Sequence, residues 1–202
     1  MMNEDLIEAL GELINISFGT ATAMIADLFD SFATLNVPDI RVVPMSEIET
    51  IIMEGSDYQE IYISDQQFKG NFSGEVVFAI DKKSARNIQR LIYSTEEFDE
   101  SQAFDENEIE QSILEISNII GSSCVGRLVE LLKEDVIFSP PTIELTHHLL
   151  IGLDKTRFSQ VIVIRTVLEF QDIKIFGRLF IMFNNEMFNG LEKALNTFIE
   201  EL

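Results

Sequence analysis

Two short segments of this chain carry the same pair of polar residues at the same spacing. Glu12 and Asn15 stand in Glu12-Leu13-Ile14-Asn15, and Glu115 and Asn118 in Glu115-Ile116-Ser117-Asn118. The offset is 115 − 12 = 103 residues, and each Asn is followed by a proline at one distance, 38 − 15 = 23 and 141 − 118 = 23. A Glu can pair with a cation, accept hydrogen bonds or take a proton. An Asn is no base at neutral pH, but its amide has an acceptor oxygen and two donor hydrogens that can orient a water. Neither pair is accompanied by a nucleophile with a base or by a metal-ligand cluster. Such a site is incomplete alone. It suits a reaction whose other parts come from a partner, as when GTPase catalysis relies on a positioned water and a residue supplied in trans.

The spacing of three puts each Glu and Asn side by side on a helix. Glu8, Gly19 and Thr22 extend the first face, and Gln111 and Ser122 the second. Either pair alone reads as the solvated side of an amphipathic helix. What argues for more is the duplication. Leu6, Leu10, Leu13, Ile16, Ile25 and Leu28 map at the same offset onto Ile109, Ile113, Ile116, Ile119, Leu128 and Leu131, all apolar. Gly74 to Asp81 maps without a gap onto Gly177 to Asn184, and Ala85 and Ile88 onto Phe188 and Leu191. Register held over so much of the chain points to an internal repeat, residues 1–103 and 104–202, forming one domain.

Each half then reads alike. A long amphipathic helix, 4–33 and 106–133, carries an apolar stripe at spacings of three and four. Asp105 and Glu108 have the spacing of a capping box. Pro38 and Pro141 are expected to bar helix continuation. Strands follow at 40–43 and 61–64, and at 143–145 and 161–170. Residues 68–74 and 170–177 read as hairpin connections, leading into third strands at 74–81 and 177–184. Helices at 82–94 and 185–199 close the halves, and the acidic stretch 94–108 reads as the linker. The expected fold class is α+β, internally duplicated and pseudo-twofold, with antiparallel strands packed by long amphipathic helices.

Composition narrows the partners. The 202 residues hold 35 Asp and Glu against 14 Lys and Arg, a net charge of −21. Nucleic acid needs clustered Lys and Arg for its phosphates, and an anionic membrane surface needs the same, so both are excluded as partners. The single cysteine, Cys124, gives no internal disulfide and falls on the apolar stripe. No uninterrupted apolar run of spanning length and no basic, apolar leader is present, so the reading is a soluble, cytoplasmic protein. Phe176, Phe180 and Phe183 read as core and sheet packing. His147 and His148 are adjacent and make a poor metal pair.

The sequence resembles the CheC group of chemotaxis phosphatases, related to CheX and to the FliY flagellar-switch proteins. The resemblance rests on both Glu-x-x-Asn pairs with their distant prolines. It rests also on the segments 12–25 and 37–48 in the first half, and 114–121 and 139–145 in the second. It covers essentially the whole chain. The family pattern opens with Asp or Ser four residues before the Glu, where this chain has Glu8 and Gln111, and Ser17 replaces a usual glycine.

The resemblance implies a phosphatase that hydrolyses the aspartyl phosphate of a CheY-like response-regulator receiver domain. Asn15 and Asn118 would align the attacking water, and Glu12 and Glu115 would engage the receiver's lysine. The cation, Mg2+ or Mn2+, would belong to the receiver, with no cofactor or metal held by this chain. An alternative within the same fold is a non-catalytic binding module, either a flagellar-switch component or a docking partner for the receptor deamidase CheD. The deamidase is an implied partner of the enzyme as well.

Overall fold

The computed structural model of the chain describes residues 2–53, 60–70, 73–92, 105–146, 158–170 and 173–200. In chain order the elements are α1 (Glu4–Leu28), β1 (Thr34–Pro44), a 3-10 turn (Met45–Glu47) running into α2 (Ile48–Met53), β2 (Ile61–Gly70), β3 (Gly74–Asp81), α3 (Lys82–Ile92), α4 (Glu106–Leu131), β4 (Val136–Phe138), β5 (Thr142–Thr146), β6 (Gln160–Phe170), β7 (Ile173–Phe183) and α5 (Asn185–Glu200).

The two long helices start and stop by the same devices. At α1 the Asn3 carboxamide accepts from the Leu6 amide at 2.9 Å. At α4 the Asp105 carboxylate accepts from the amides of Asn107 and Glu108 at 3.1 and 3.3 Å. Each side chain satisfies amides that the first helical turn leaves unpaired. The C-termini are Schellman motifs. Ser31 N donates to Ala26 O and Asp30 N to Asp27 O, with Asp30 at φ 46°. Glu134 N donates to Val129 O and Lys133 N to Glu130 O, with Lys133 at φ 57°. Asp30 and Lys133 are again 133 − 30 = 103 residues apart. The helices thus end at Leu28 and Leu131, short of both prolines, which corrects the expectation that Pro38 and Pro141 stop them.

The prolines do something else. Pro38 lies inside β1 where the register with β6 shifts between Asn36 and Asp39. Pro140 and Pro141 separate β4 from β5. Both sites are interruptions of edge strands, where a missing N–H costs no ladder bond.

All strand pairs are antiparallel, in the order β1-β6-β7-β3-β2-β4, with β5 also on β2. The centre is the β3–β7 pair, where Val77 faces Phe180, two residues 180 − 77 = 103 apart. Gly74 faces Phe183 and Gly177 faces Ile80, so this pairing reads the same from either half. Residues of α1, α3, α4 and α5 form one core on one face of the sheet. On the opposite face Met45, Ile48, Ile51 and Phe158 pack over Val77, Phe180 and their neighbours. The protein is therefore α+β with an antiparallel sheet, as its sequence indicates.

The apolar stripes are where expected, except at Ile16 and at Leu28, the last residue of α1, which is 45% exposed. Leu10, Leu13, Ile14 and Ile25 of α1 and Ile109, Ile113 and Ile116 of α4 are buried. Each such side chain contributes about 1.5–3 kcal/mol by leaving water, which fixes the helices and leaves their outer faces free. Ile16 is 53% exposed although its counterpart Ile119 is buried. By length and composition α1 could span a membrane. Its stripe lies instead in the core, against the sheet and α4. Cys124 is buried, and burial pushes its thiol pKa well up.

Two further readings need correction. Both hairpin connections are shorter than the expected 68–74 and 170–177, because β2 runs on to Gly70 and β7 already begins at Ile173. Ile173 and Ile175 point inward while Lys174 and Phe176 point out, so Phe176 is half exposed rather than core. Phe180 and Phe183 are buried. His147, His148 and residues 94–104 of the expected linker lie outside the described residues.

Candidate functional site

The first pair sits on an open helix face. Glu8, Glu12, Asn15 and Gly19 of α1 are exposed, while Leu13 between them is buried. Among the described residues no hydrogen bond to the Asn15 amide is formed, so its orientation is set by nothing but its own helix. A Cβ placed on Gly19 would meet no atom within 4 Å, which leaves a smooth, open surface beside Asn15. Exposed Ile16 lies beside this face. Beside it runs a cleft of about 520 Å³ edged by Asp5, Glu8 and Glu12 and floored by Ala9, Ile16, Phe198 and Ile199.

The second pair sits on α4 in a related setting. A cleft of about 480 Å³ is lined by Glu108, Gln111, Ser112 and Glu115 of α4, by Leu28, Phe29 and Asp30 at the end of α1, and by Leu91. The α4 residues are those at offset 103 from Asp5, Glu8, Ala9 and Glu12 of the first cleft. Glu115 is exposed and Ile116 buried, as in the first copy. Asn118 differs: it is half-buried rather than open to solvent. Its Oδ1 accepts from Gln66 Nε2 of β2 at 2.7 Å, and the same nitrogen donates to the Ser139 carbonyl at 3.0 Å. Ser117 next to it shares a hydrogen bond with Ser64 of β2, oxygen to oxygen 2.7 Å.

Sequence reasoning did not single out Gln66, Ser64 or Ser139. A signal was present. Tyr62, Ser64, Gln66 and Phe68 alternate along β2 on the face turned to the helices, and two polar residues there break an apolar series. Electrostatics around α4 is negative. Tyr62, buried beneath it, has its hydroxyl pKa pushed up to about 12, first by burial and then by the charges of Glu106, Glu110 and Glu60. On β2, burial and the charge of Glu144 raise the pKa of Asp65, against a hydrogen bond from the Gln66 backbone that lowers it. Among the described residues no group of three His, Cys, Asp or Glu stands close enough to hold a metal ion.

What the geometry offers is two surface patches, each with an acidic group and an amide on an accessible helix. No family model matches the sequence. Among curated proteins, the flagellar motor switch phosphatase FliY of Bacillus subtilis is 22% identical over 139 residues, covering 68% of this chain and 35% of that protein. The match thus spans about a third of the relative's length. Among solved structures, Thermotoga maritima FliY superposes with a TM-score of 0.73 at 18% identity, covering 98% of both chains. The FliM middle domain from H. pylori gives a TM-score of 0.63 at 8% identity, over 96% of this chain and 99% of that one. The fold is that of FliY and of the FliM middle domain. The resemblance carried by the two Glu-x-x-Asn motifs and this superposition agree. The similar proteins include one named as a phosphatase and the FliM middle domain, and fold by itself does not choose between catalysis and scaffolding.

Proposed function

We propose that this chain is a phosphatase acting on the aspartyl phosphate of a CheY-like receiver domain. The observation that carries the reading is the doubled Glu-x-x-Asn pair, with both Glu side chains exposed on the rims of equivalent clefts. The FliY relative, named a phosphatase, supports it. In this reading the receiver brings the phosphoaspartate, its Mg2+ or Mn2+ and a lysine. Glu12 or Glu115 pairs with that lysine and fixes the docking. Asn15 or Asn118 then holds a water in line with the phosphorus, so that it attacks opposite the aspartate oxygen. The P–O bond to the aspartate breaks, and a free carboxylate and inorganic phosphate result. Alignment is where the gain arises, and a ~100-fold acceleration needs only about 2.7 kcal/mol. The partner is a protein with exposed basic groups, which the −21 charge would attract.

A second reading, a non-catalytic switch or docking module that binds a partner such as CheD, is favoured by the FliM middle domain's likeness in fold. It is favoured also by Glu8 and Gln111 standing where the family has Asp or Ser. Phosphate release from a phosphorylated receiver domain in Mg2+, with and without the chain, separates the two. Acceleration that is lost when Asn15 and Asn118 are both changed to Ala supports the enzyme. A rate equal to the receiver alone, with complex formation retained, supports the module.

A further inference from the structure

The two Asn side chains are held differently, and we infer that Gln66 is a positioning residue that sets the Asn118 amide in one orientation and so makes the second site rigid and the first adaptable. For its kinetic arm this rests on the phosphatase reading above.

Ser139 O can only accept a hydrogen bond. The Gln66 atom 3.0 Å from it must therefore be Nε2, the donor. The same Nε2 lies 2.7 Å from the Asn118 side chain, so Asn118 must present its oxygen there. Its Nδ2 is then left for a partner. Gln66 is itself 4% exposed, so neither amide can turn over without losing a buried bond. Gln66 Oε1 has no hydrogen-bond partner among the described residues. An orphaned buried acceptor is retained here together with an Nε2 that donates twice.

The first half lacks the polar strand side chains of this device. Gln66 pairs with Val76 on β3 and Ile164 pairs with Leu179 on β7, and 179 − 76 = 103. The position equivalent to Gln66 is thus Ile164, which has no polar group to offer Asn15. Likewise Ser64 faces Phe78 and Ile162 faces Ile181, so Ile162 stands for Ser64. Gly121 adds a reason on the helix side. A Cβ there would lie 3.0 Å from Val76 Cγ1 and 3.7 Å from Gln66 Oε1, so glycine admits the close approach of α4 to β2 and β3. Its counterpart in α1 is the buried Phe18, so the first half has no glycine at this position.

A preset amide loses less freedom on aligning a water than a free one. The test uses the full chain in two backgrounds. With Asn15→Ala, only the second site remains, and adding Gln66→Met should lower kcat for receiver dephosphorylation about tenfold, equivalent to about 1.4 kcal/mol, with KM within about twofold. With Asn118→Ala, only the first site remains, and Gln66→Met should change its rate by less than about twofold. Equal losses in both backgrounds, or none in either, would overturn the inference. A second readout needs no substrate. In the unsubstituted protein, side-chain amide NMR relaxation should show Asn118 Nδ2 as rigid as the backbone and Asn15 Nδ2 mobile, and Gln66→Met should mobilise Asn118. Equal mobility of the two amides in the unsubstituted protein would sink it. If no variant accelerates dephosphorylation, the phosphatase reading fails, while the NMR comparison still decides the positioning.

Discussion

Asn15 and Asn118 are chemically one residue in two environments, and their substitutions should differ accordingly. Asn15→Ala removes an exposed amide with no partner among the described residues, so stability should change by less than about 0.5 kcal/mol. Asn118→Ala strips one acceptor from a buried Gln66 and should cost about 1 kcal/mol. Each single change should leave partial phosphatase activity, and the double change the receiver's own rate, since the sites share no residue. Phosphate release with purified variants and urea melts measure both. The Glu and Asn pairs were legible because their identity recurs at a fixed offset. The Asn118–Gln66 contact was not, because 52 residues separate its partners and only the sheet brings them together. Asp65 offers an independent pH test. Burial, with the charge of Glu144 beside it, raises its folded-state pKa above the unfolded value. Its contribution to stability is then fully present below the unfolded pKa and lost as pH rises through the folded one. Near pH 7 the buried carboxylate is a net cost, so Asp65→Asn should raise the unfolding free energy there. The gain should shrink as pH falls towards about 4 and vanish below it, near the ordinary Asp value. Denaturant midpoints at pH 7 and pH 3.5 give the two ends of this comparison, and an equal gain at both would refute the assignment.

At the scale of elements, apolar periodicity located α1, α4 and α5 because each packs one face against the sheet with a regular period, whereas β3, buried on both faces, was located by its match at offset 103. Asp105 was recognisable as a cap from its residue type and from Glu108 three positions on. The helix ends were not, since Asp30 and Lys133 occupy the left-handed position where glycine is the usual signal. Phe176 misled because an aromatic in an alternating strand takes whichever side the register assigns, and its side faces out. β1 runs through Pro38 because a bulge at an edge accommodates a residue without an N–H. The two left-handed residues are a testable cost. A side chain at positive φ is disfavoured, less for Asp than for Lys. Gly in its place relieves that cost but adds freedom to the unfolded chain. The net expectation is a stabilisation of about 0.5–1 kcal/mol for Lys133→Gly and less for Asp30→Gly. Urea denaturation of each variant measures it, and a loss of stability at both positions would contradict the cap geometry.

At the scale of the molecule the decisive feature is how the halves share one sheet, a feature that the internal repeat predicts no further than symmetry. We read residues 1–103 and 104–202 as copies of one ancestral unit, on the strength of matched motifs, matched Schellman ends and the Val77–Phe180 centre. The copies do not lie side by side as separate bodies. β1 of the first half pairs with β6 of the second, and β4 and β5 of the second pair with β2 of the first. The central β3–β7 pair joins them again, and α1 and α4 share a core. A first half alone would therefore expose both edges of the β2–β3 hairpin, leave β1 without a partner strand and uncover the stripe of α1. An unpaired strand and a bare apolar helix face cannot offset the conformational entropy of ordering them. Residues 1–103 expressed alone should thus lack the cooperative unfolding of the full chain, or should recover it only as a pair of copies, because the symmetric β3 register lets one copy take the place of β7. Mixing the two halves as separate chains should restore a single sigmoidal transition. The measurement is urea denaturation followed by far-UV circular dichroism, with the oligomeric state read by sedimentation. A monomeric first half that unfolds cooperatively by itself would show that the strand exchange between halves is dispensable, and that each Glu–Asn site stands on a fold of its own.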